Sequence, residues 1–390
     1  MREVVLDGGP AGVAELAGAL REALHHGGPP VLPLDAHDPR TPTLRAAMRQ
    51  EEPVEPDTSV IIATSGSTGE PKGVLLSTRA LLTSATATHA RLGGPGRWLL
   101  ATPAQFVGGL QVLVRSMLVG ADPVVLDLSA GFRPTEFAAA AAEVLARAGR
   151  HYTALVPTQL ARLLDAGGES VRAAAGFDAI VLGGATCTAG LRARAEAAGL
   201  RVVSAYGMSE TASGCVYDGQ PLDGVRVRAA GAADGEVGPV ELAGDVLANG
   251  YRLCGELSAS AFAGGWFHTG DLGRLLGDGR LEILGRADDM INTGGVKVAP
   301  VLVERVLTGQ PGVAEVCVLG VADARWGQRV AAALVPADNA HPPAERRLAD
   351  AVRAELGGAA VPRRLLVLPE LPRIGPGKID RAALRALLER

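Results

Sequence analysis

The chain has 390 residues, with 38 Lys+Arg against 42 Asp+Glu, a formal net charge of -4, and 47% hydrophobic residues. That length predicts two or three domains with an ample core, and a near-neutral charge leaves no footprint for nucleic acid. The apolar residues are dispersed, so no run of about eighteen uncharged apolar residues predicts a membrane span. The first residues, Met1-Arg2-Glu3-Val4-Val5-Leu6-Asp7, hold no secretory apolar region, and Cys187, Cys215, Cys254 and Cys317 fit no metal spacing; a cytoplasmic protein with reduced thiols is expected.

Residues 1–59 read as a lead-in: an amphipathic segment near Val13 to Leu24, then Gly27-Gly28-Pro29-Pro30, then an acidic, proline-containing connector around Glu51 to Asp57. Two apolar runs follow, Val60–Ala63 and Val74–Leu76, and both predict short buried strands. Between them stands Thr64-Ser65-Gly66-Ser67-Thr68-Gly69-Glu70-Pro71-Lys72-Gly73. Glycines let successive N–H groups turn inward as an anion-binding nest, the hydroxyls add donors, and Lys72 adds a compact positive charge. Such a loop suits a polyphosphate. It is not a Walker A loop, because Pro71 occupies the place of the second glycine and the chain continues into a strand. The bland alternative, a flexible Ser/Gly surface turn, fits poorly between two buried strands. Ser77 or Thr78 is placed to cap a helix beginning near Arg79.

Strands and helices then alternate. Strands are predicted over Trp98–Thr102, Pro123–Leu128, Thr153–Val156, Asp178–Leu182 and Arg201–Ser204, and helices over Gly109–Leu118, Ala138–Ala148 and Leu191–Ala198. The alternation argues for layered α/β structure with a largely parallel sheet. Gly183-Gly184-Ala185 follows a strand directly, which is where open α/β sheets bind ligands. Tyr206-Gly207-Met208-Ser209-Glu210-Thr211 also follows a strand. It offers an aromatic face for a purine, a glycine for close approach, a hydroxyl, and a carboxylate able to hold Mg2+ among waters and phosphates. Taken alone, Glu210 reads sooner as an acid favoured by a helix N-terminus than as a metal ligand.

From about Asp223 to Tyr251 the pattern predicts a β-rich subdomain. In His268-Thr269-Gly270-Asp271 and Gly285-Arg286-Ala287-Asp288-Asp289, Asp271 could accept from vicinal ribose hydroxyls and Arg286 could donate to them; each could also be a surface turn residue. Leu281–Leu284 predicts a strand. After Asp288 the chain changes character: a glycine loop Gly294-Gly295-Val296-Lys297, a helix from about Pro300 to Leu307, a strand over Val313–Leu319, and a Gly/Pro-rich loop, Pro372 to Asp380, that carries Lys378. About a hundred residues suffice for a small α/β domain. Lysine occurs only three times, as Lys72, Lys297 and Lys378, each in a glycine-containing loop, while arginine does the remaining cationic work. A mobile point charge can follow a reacting group, so these three are candidates for chemistry.

Six motifs stand in a fixed order: the Ser/Thr/Gly loop with Lys72, Tyr206-Gly207-Met208-Ser209-Glu210, His268-Thr269-Gly270-Asp271, Gly285-Arg286-Ala287-Asp288-Asp289, Gly294-Gly295-Val296-Lys297, and Pro376-Gly377-Lys378. Together, over residues 60–380, they resemble the adenylate-forming superfamily of acyl- and aryl-CoA synthetases, nonribosomal-peptide adenylation domains and luciferases. The resemblance implies a large N-terminal α/β domain with a β-rich subdomain, residues 1–286, and a small mobile C-terminal α+β domain, residues 287–390, rotating about Asp288. It implies that Thr64, Ser65, Gly66, Ser67, Thr68, Gly69 and Lys72 cradle the phosphates of ATP. Gly183, Gly184, Ala185, Tyr206 and Gly207 would frame the adenine, and Asp271 and Arg286 would hold the ribose. Ser209 would sit by the α-phosphate, Glu210 by Mg2+, and Lys378 between the carboxylate and the α-phosphate during adenylation. Gly294, Gly295, Val296 and Lys297 would turn inward for coenzyme A.

A narrower likeness is to short o-succinylbenzoate–CoA ligases of menaquinone biosynthesis, carried by residues 108–116 and 154–164. It implies Phe106, Gly108, Gly109, Arg115 and Thr158 as the acid's surroundings, with Arg115 a partner for a second carboxylate. Many of those enzymes carry histidine between positions 103 and 109, where this chain has Gln105 and Phe106, so the acid stays open. The alternatives are a CoA ligase for another aryl or dicarboxylic acid, or an adenylation enzyme loading a carrier protein. From other classes, a kinase is disfavoured by the failed Walker pattern and the C-terminal lysine, and an inactive scaffold by retention of Lys378, Glu210 and Asp271. The expected partners are a small carboxylic acid, ATP and coenzyme A, with room left for a homodimer.

Overall fold

A computed structural model describes residues 1–65, 70–233, 235–338, 341–374 and 378–389, with the backbone alone for Ser65, Ile374 and Lys378. The loop from Gly66 to Gly69, the 375–377 stretch and the Lys378 side chain therefore lie outside the described residues.

The first sheet contains β1 (Arg2–Leu6), β2 (Val31–Asp35), β3 (Val60–Ser65) and β4 (Pro71–Leu76), parallel from β1 to β3 and closed by the antiparallel β3–β4 hairpin. Residues 1–59 are thus no lead-in. They build two of the five strands of this sheet and pack it with α1 (Pro10–His25) and α2 (Thr41–Ala47). Proline at the start of both helices supplies a preset φ where a donor is not needed. The amphipathic stretch is α1, whose Val13, Leu16, Leu20 and Leu24 recur at helical spacing and are buried.

After α3 (Thr78–Arg91), capped by Ser77 Oγ accepting from Ala80 N–H, comes the second sheet. Its strands are β5 (Gly96–Leu100), β6 (Val124–Val125), β7 (Arg150–Leu155), β8 (Ala179–Leu182), β9 (Val202–Met208), β10 (Ser213–Tyr217) and β11 (Gln220–Pro221). The spatial order is β11-β10-β9-β8-β7-β5-β6, parallel from β9 to β6 and antiparallel at β9–β10–β11. The crossovers are α4 (Val107–Leu118), α5 (Pro134–Leu145), α6 (Pro157–Ala166) with α7 (Gly168–Ala175), and α8 (Ala189–Ala197).

Packing follows from which faces are apolar. α1, α3 and α4 are held between the two sheets: Leu16, Leu20, Leu81, Leu110 and Leu113 share one core with Val4 and Leu6 on one side and Trp98 and Tyr152 on the other. The far face of the second sheet buries Leu99, Ile180 and Leu182 against Phe137, Leu160 and Leu163 of α5 and α6. Each fully buried side chain of this kind contributes about 1.5–3 kcal/mol.

The third sheet is antiparallel and confirms the β-rich subdomain: β12 (Arg226–Ala229), β13 (Gly238–Ala243), β15 (Phe267–Leu275) and β16 (Leu281–Arg286). Between β13 and β15 the chain returns as β14 (Gly250–Tyr251) to pair with β4 and complete the first sheet, then forms α9 (Gly255–Ala261).

Beyond Asp288 a separate sheet runs β18-β17-β20-β19, with β21 on β20, from β17 (Ile291–Thr293), β18 (Val296–Val298), β19 (Val313–Asp323), β20 (Gly327–Pro336) and β21 (Arg364–Val367). β19 shows period-two burial: Val316 and Val318 face α10 (Pro300–Thr308) and α11 (Glu345–Leu356), while Cys317, Leu319 and Val321 face α12 (Arg381–Glu389). β22 (Arg373–Ile374) and β23 (Lys378–Ile379) pair just before α12. Among the described residues no helix is long and apolar enough to cross a membrane.

Candidate active site

The parallel strands β5, β7, β8 and β9 all end on the same edge of the second sheet. That edge therefore gathers residues 101–109, Thr158, Gly183–Ala185 and the segment Tyr206–Thr211, as expected for a ligand site in an open α/β sheet. Gly184 has φ +81, a conformation that L side chains rarely adopt, so the turn after β8 is a glycine position.

The Tyr206 segment departs from expectation. Tyr206, Gly207 and Met208 are the end of β9 rather than a loop after it, paired antiparallel with β10. A Cβ on Gly207 would stand 2.2 Å from the Ser213 carbonyl, so the close approach glycine permits is to its own hairpin. Ser209–Thr211 forms a single 3-10 turn, and the chain then reverses through Ala212 (φ 50) and Ser213 (φ 95). Glu210 therefore does not sit at the N-terminus of a long helix. Its turn is held from several sides: Thr211 Oγ1 accepts from Met208 N–H at 2.9 Å, Ser84 Oγ and Gln111 Nε2 donate to the Ala212 carbonyl at 2.9 and 3.0 Å, and Ala248 N–H donates to the Glu210 carbonyl at 2.8 Å. The left-handed pair is strained for non-glycine residues and is sustained by these buried bonds.

The Tyr206 hydroxyl donates to Asp271 Oδ2 at 2.6 Å. Asp271 lies on β15 directly opposite Arg286 on β16, so both are strand residues and Asp271 is buried, not a surface turn. Arg286 Nη1 lies 3.8 Å from Asp271 Oδ1 and donates to the Thr269 carbonyl at 3.0 Å, while its Nε donates to Asp288 at 3.2 Å. Burial pushes the Asp271 pKa up, partly offset by the Tyr206 hydrogen bond and the Arg286 charge; burial, then the neighbouring Asp271 charge, pushes the Tyr206 phenol up.

Lys72 and Thr64 face each other at the base of the β3–β4 hairpin. Lys72 Nζ stands 5.3 Å from the centre of the Tyr251 ring, and the Tyr251 hydroxyl donates to Glu210 Oε1 at 3.0 Å. Sequence reasoning missed Tyr251; its signal was the glycine–aromatic pair Gly250-Tyr251 closing the β-rich stretch. Beside it, buried Arg252 donates to the carbonyls of Met48, Arg49, Glu52 and Pro53 and to Glu55 Oε2.

On the other side of the edge, Phe106 is 44% exposed at the start of α4, and a Cβ at Gly108 would meet nothing within 4 Å. Gly109 is forced: a Cβ there would stand 2.3 Å from the Pro103 carbonyl. Thr158 begins α6, whose Gln159 donates to the Ala101 carbonyl at 2.7 Å. Arg115 is not brought to open surface. It is 1% exposed, two turns beyond Gly108, with its guanidinium 4.9 Å from the Trp98 ring and Nη2 donating to the Tyr217 hydroxyl at 3.5 Å; Nε has no partner among the described residues. The Gly294–Lys297 loop is the tip of a β17–β18 hairpin: Gly294 has φ +60 and packs on the Trp326 ring, and Gly295, Val296 and Lys297 are exposed.

The layered sheets and this edge define a nucleotide-dependent enzyme family. The AMP-binding enzyme family matches residues 7–252 and the AMP-binding enzyme C-terminal domain matches residues 302–378, and the chain belongs to this family. It is 47% identical over 345 residues to a probable 2-succinylbenzoate–CoA ligase of Mycobacterium tuberculosis, covering 88% of each chain. It also resembles, at TM-score 0.74 and 26% identity, the o-succinylbenzoate CoA synthetase of Bacillus subtilis solved with its acyl-adenylate intermediate, covering 95% of this chain and 80% of that one. At TM-score 0.77 and 27% identity it resembles an amide bond synthetase of Marinactinospora thermotolerans, covering all of this chain and 80% of that one.

Proposed function

We propose that the chain is an ATP-dependent, AMP-forming acid–CoA ligase acting on o-succinylbenzoate. The observation that carries this reading is that one sheet edge gathers the Gly183–Gly184 turn, Tyr206 and Glu210 beside Lys72 and the Asp271–Arg286 pair. The choice of acid is supported by the likeness to the M. tuberculosis and B. subtilis proteins.

In this reading the 64–69 loop and Lys72 bind the phosphates, and the Tyr206 ring and the 183–185 turn frame the adenine. Asp271 accepts from the ribose through the oxygen Tyr206 leaves free. Among the described residues no three His, Cys, Asp or Glu side chains gather as a metal cage. A single carboxylate fits Mg2+ that keeps phosphate oxygens and waters as its other ligands, and in this reading Glu210 would hold the ion that arrives with ATP.

A carboxylate oxygen of the acid attacks the α-phosphorus and pyrophosphate leaves, giving an acyl-AMP. Charge builds between two anions, and a positioned cation is the stabilisation required; Lys378 is assigned to it, with Ser209 at the α-phosphate. The thiolate of coenzyme A then attacks the acyl carbon and AMP leaves. That step needs other groups, and rotation of residues 287–390 about Asp288 would exchange Lys378 for the 294–297 hairpin. Ion pairs at this boundary, Arg305–Glu282 and Arg286–Asp288, involve half-exposed arginines and are weak enough to exchange.

The test is pyrophosphate release from ATP across a panel of carboxylic acids, with and without coenzyme A. o-Succinylbenzoate should release pyrophosphate and AMP and yield a thioester. Turnover of another acid alone overturns the substrate, and thioester formation only on a carrier protein overturns the acceptor.

A further inference from the structure

Lys72 and Glu210 come from different elements and carry opposite charges that the proposed chemistry needs separately. Tyr251 stands between them. β14 pairs Tyr251 with Val74, and Lys72 is two residues before Val74, so Lys72 and Tyr251 share one face of the first sheet as diagonal neighbours. From the other side the Tyr251 hydroxyl reaches Glu210 Oε1, and the Glu210 backbone is tied to Ala248, three residues before Tyr251. Tyr251 is itself fixed: its N–H donates to Ser258 Oγ at 2.8 Å, and its ring packs on Phe262 at 5.7 Å between centroids.

We propose that Tyr251 is a positioning residue for the metal–phosphate end of the nucleotide, holding Lys72 and Glu210 apart and aiming each; this rests on the ATP-site reading above. The ring face holds the ammonium without consuming any of its three N–H donors, which stay free for phosphate oxygens. The phenol commits one carboxylate oxygen and leaves the other for the ion. A phenol keeps its proton at neutral pH and so donates to the carboxylate.

The test is calorimetric titration of the full chain with ATP alone, no acid present, once in EDTA and once in excess Mg2+. Tyr251→Phe keeps the ring and should weaken binding about tenfold in Mg2+, the scale of one hydrogen bond to a charged group, with no change in EDTA. Tyr251→Leu should also weaken binding in EDTA by roughly threefold, as the ring face is lost. In a Glu210→Gln background Tyr251→Phe should cause no further Mg2+-dependent loss. Unchanged Mg2+-dependent affinity in Tyr251→Phe, equal loss in both buffers, or full additivity with Glu210→Gln overturns the proposal. Should Tyr251→Leu fail to fold, Tyr251→Phe and the double-mutant cycle still decide it. Failure of the wild type to bind ATP overturns the nucleotide site itself, and failure to use o-succinylbenzoate leaves this test intact.

Discussion

Arg252 carries the strongest stability prediction. Its side chain is buried and makes five hydrogen bonds: four to the carbonyls of Met48, Arg49, Glu52 and Pro53 and one to Glu55 Oε2, at 2.7–2.9 Å. At about 1.5 kcal/mol for each bond to a charged donor the gross loss on truncation is ~7 kcal/mol. Residues 49, 51 and 53 are exposed, so water will satisfy part of what is orphaned. The net cost of Arg252→Met should then be about 3–5 kcal/mol, the range for removing one partner of a buried ion pair. That corresponds to a fall in Tm of roughly 6–15 °C for a domain of this size. Arg252→Lys should recover less than half of it, because an ammonium cannot present the planar fork that reaches five acceptors. Differential scanning calorimetry and urea unfolding of the two variants measure this. A cost below about 1 kcal/mol for Arg252→Met would mean that the 49–55 segment holds its place without the guanidinium, and the reasoning fails.

Lys378→Ala should slow acyl-AMP formation roughly a hundredfold while thioester formation from supplied acyl-AMP stays nearly intact; equal loss in both steps removes Lys378 from adenylation. Asp288→Pro, which fixes φ near −65°, should leave pyrophosphate release and abolish transfer to coenzyme A; normal rates in both steps exclude rotation about this residue. Arg115→Met should leave KM for the acid unchanged and stability neutral or raised by about 1–4 kcal/mol, since it replaces a buried charge without a carboxylate by an apolar stem; a selective rise in KM for the acid would instead place the guanidinium in the pocket. His89 is held to a pKa of about 4 by burial and then by the Arg115 charge, and its Nε2 accepts from Trp98 Nε1 at 3.0 Å. The folded state therefore resists protonation, and the stability this confers, present above the ordinary pKa of about 6.5, is lost as pH falls toward 4. Urea unfolding from pH 7 to 4 should show that slope in the wild type and a shallower one in His89→Gln; identical slopes refute it.

The elements legible in the sequence were those whose burial is periodic. α1, α4 and the alternating strands of the second sheet follow directly from apolar spacing, and β19 shows it in one strand. Residues 1–59 were misread as a lead-in because pairing of β1 with β2 and of β2 with β3 is long-range, and no local pattern encodes which strand a short apolar run will join. The extension of β9 through Met208 was hidden for the same reason: its partner β10 is reached only by a reversal at Ala212–Ser213, where alanine and serine stand in conformations that usually announce themselves with glycine. Motif residues were found because their chemistry is unusual in type. Tyr251, Gln111 and Ser84 were not, because a tyrosine, a glutamine and a serine act here through what they touch.

The site's two carboxylates share one construction. Tyr206 donates to Asp271 at 2.6 Å and Tyr251 donates to Glu210 at 3.0 Å, each phenol arriving from a different element than its carboxylate. Asp271 Oδ1, the oxygen Tyr206 does not engage, lies 3.8 Å from Arg286 Nη1 as a loose ion pair between β15 and β16, and Lys72 rests on the Tyr251 ring. A neutral phenol satisfies part of the carboxylate's hydrogen-bonding demand at far lower desolvation cost than a second charge. It also fixes the group's rotamer while leaving its other oxygen open. The cost appears in the raised pKa of Asp271, whose ionisation is resisted by burial, and binding of a nucleotide that donates hydrogen bonds to Asp271 would offset it. Preorganisation of this kind requires the free protein to be less stable than it could be, so Asp271→Asn should stabilise it by an amount that grows as pH rises from the ordinary Asp value of about 3.9 through the raised folded value and is constant above it, while weakening ATP binding. A variant that gains neither stability nor loses affinity would show that the carboxylate is structural.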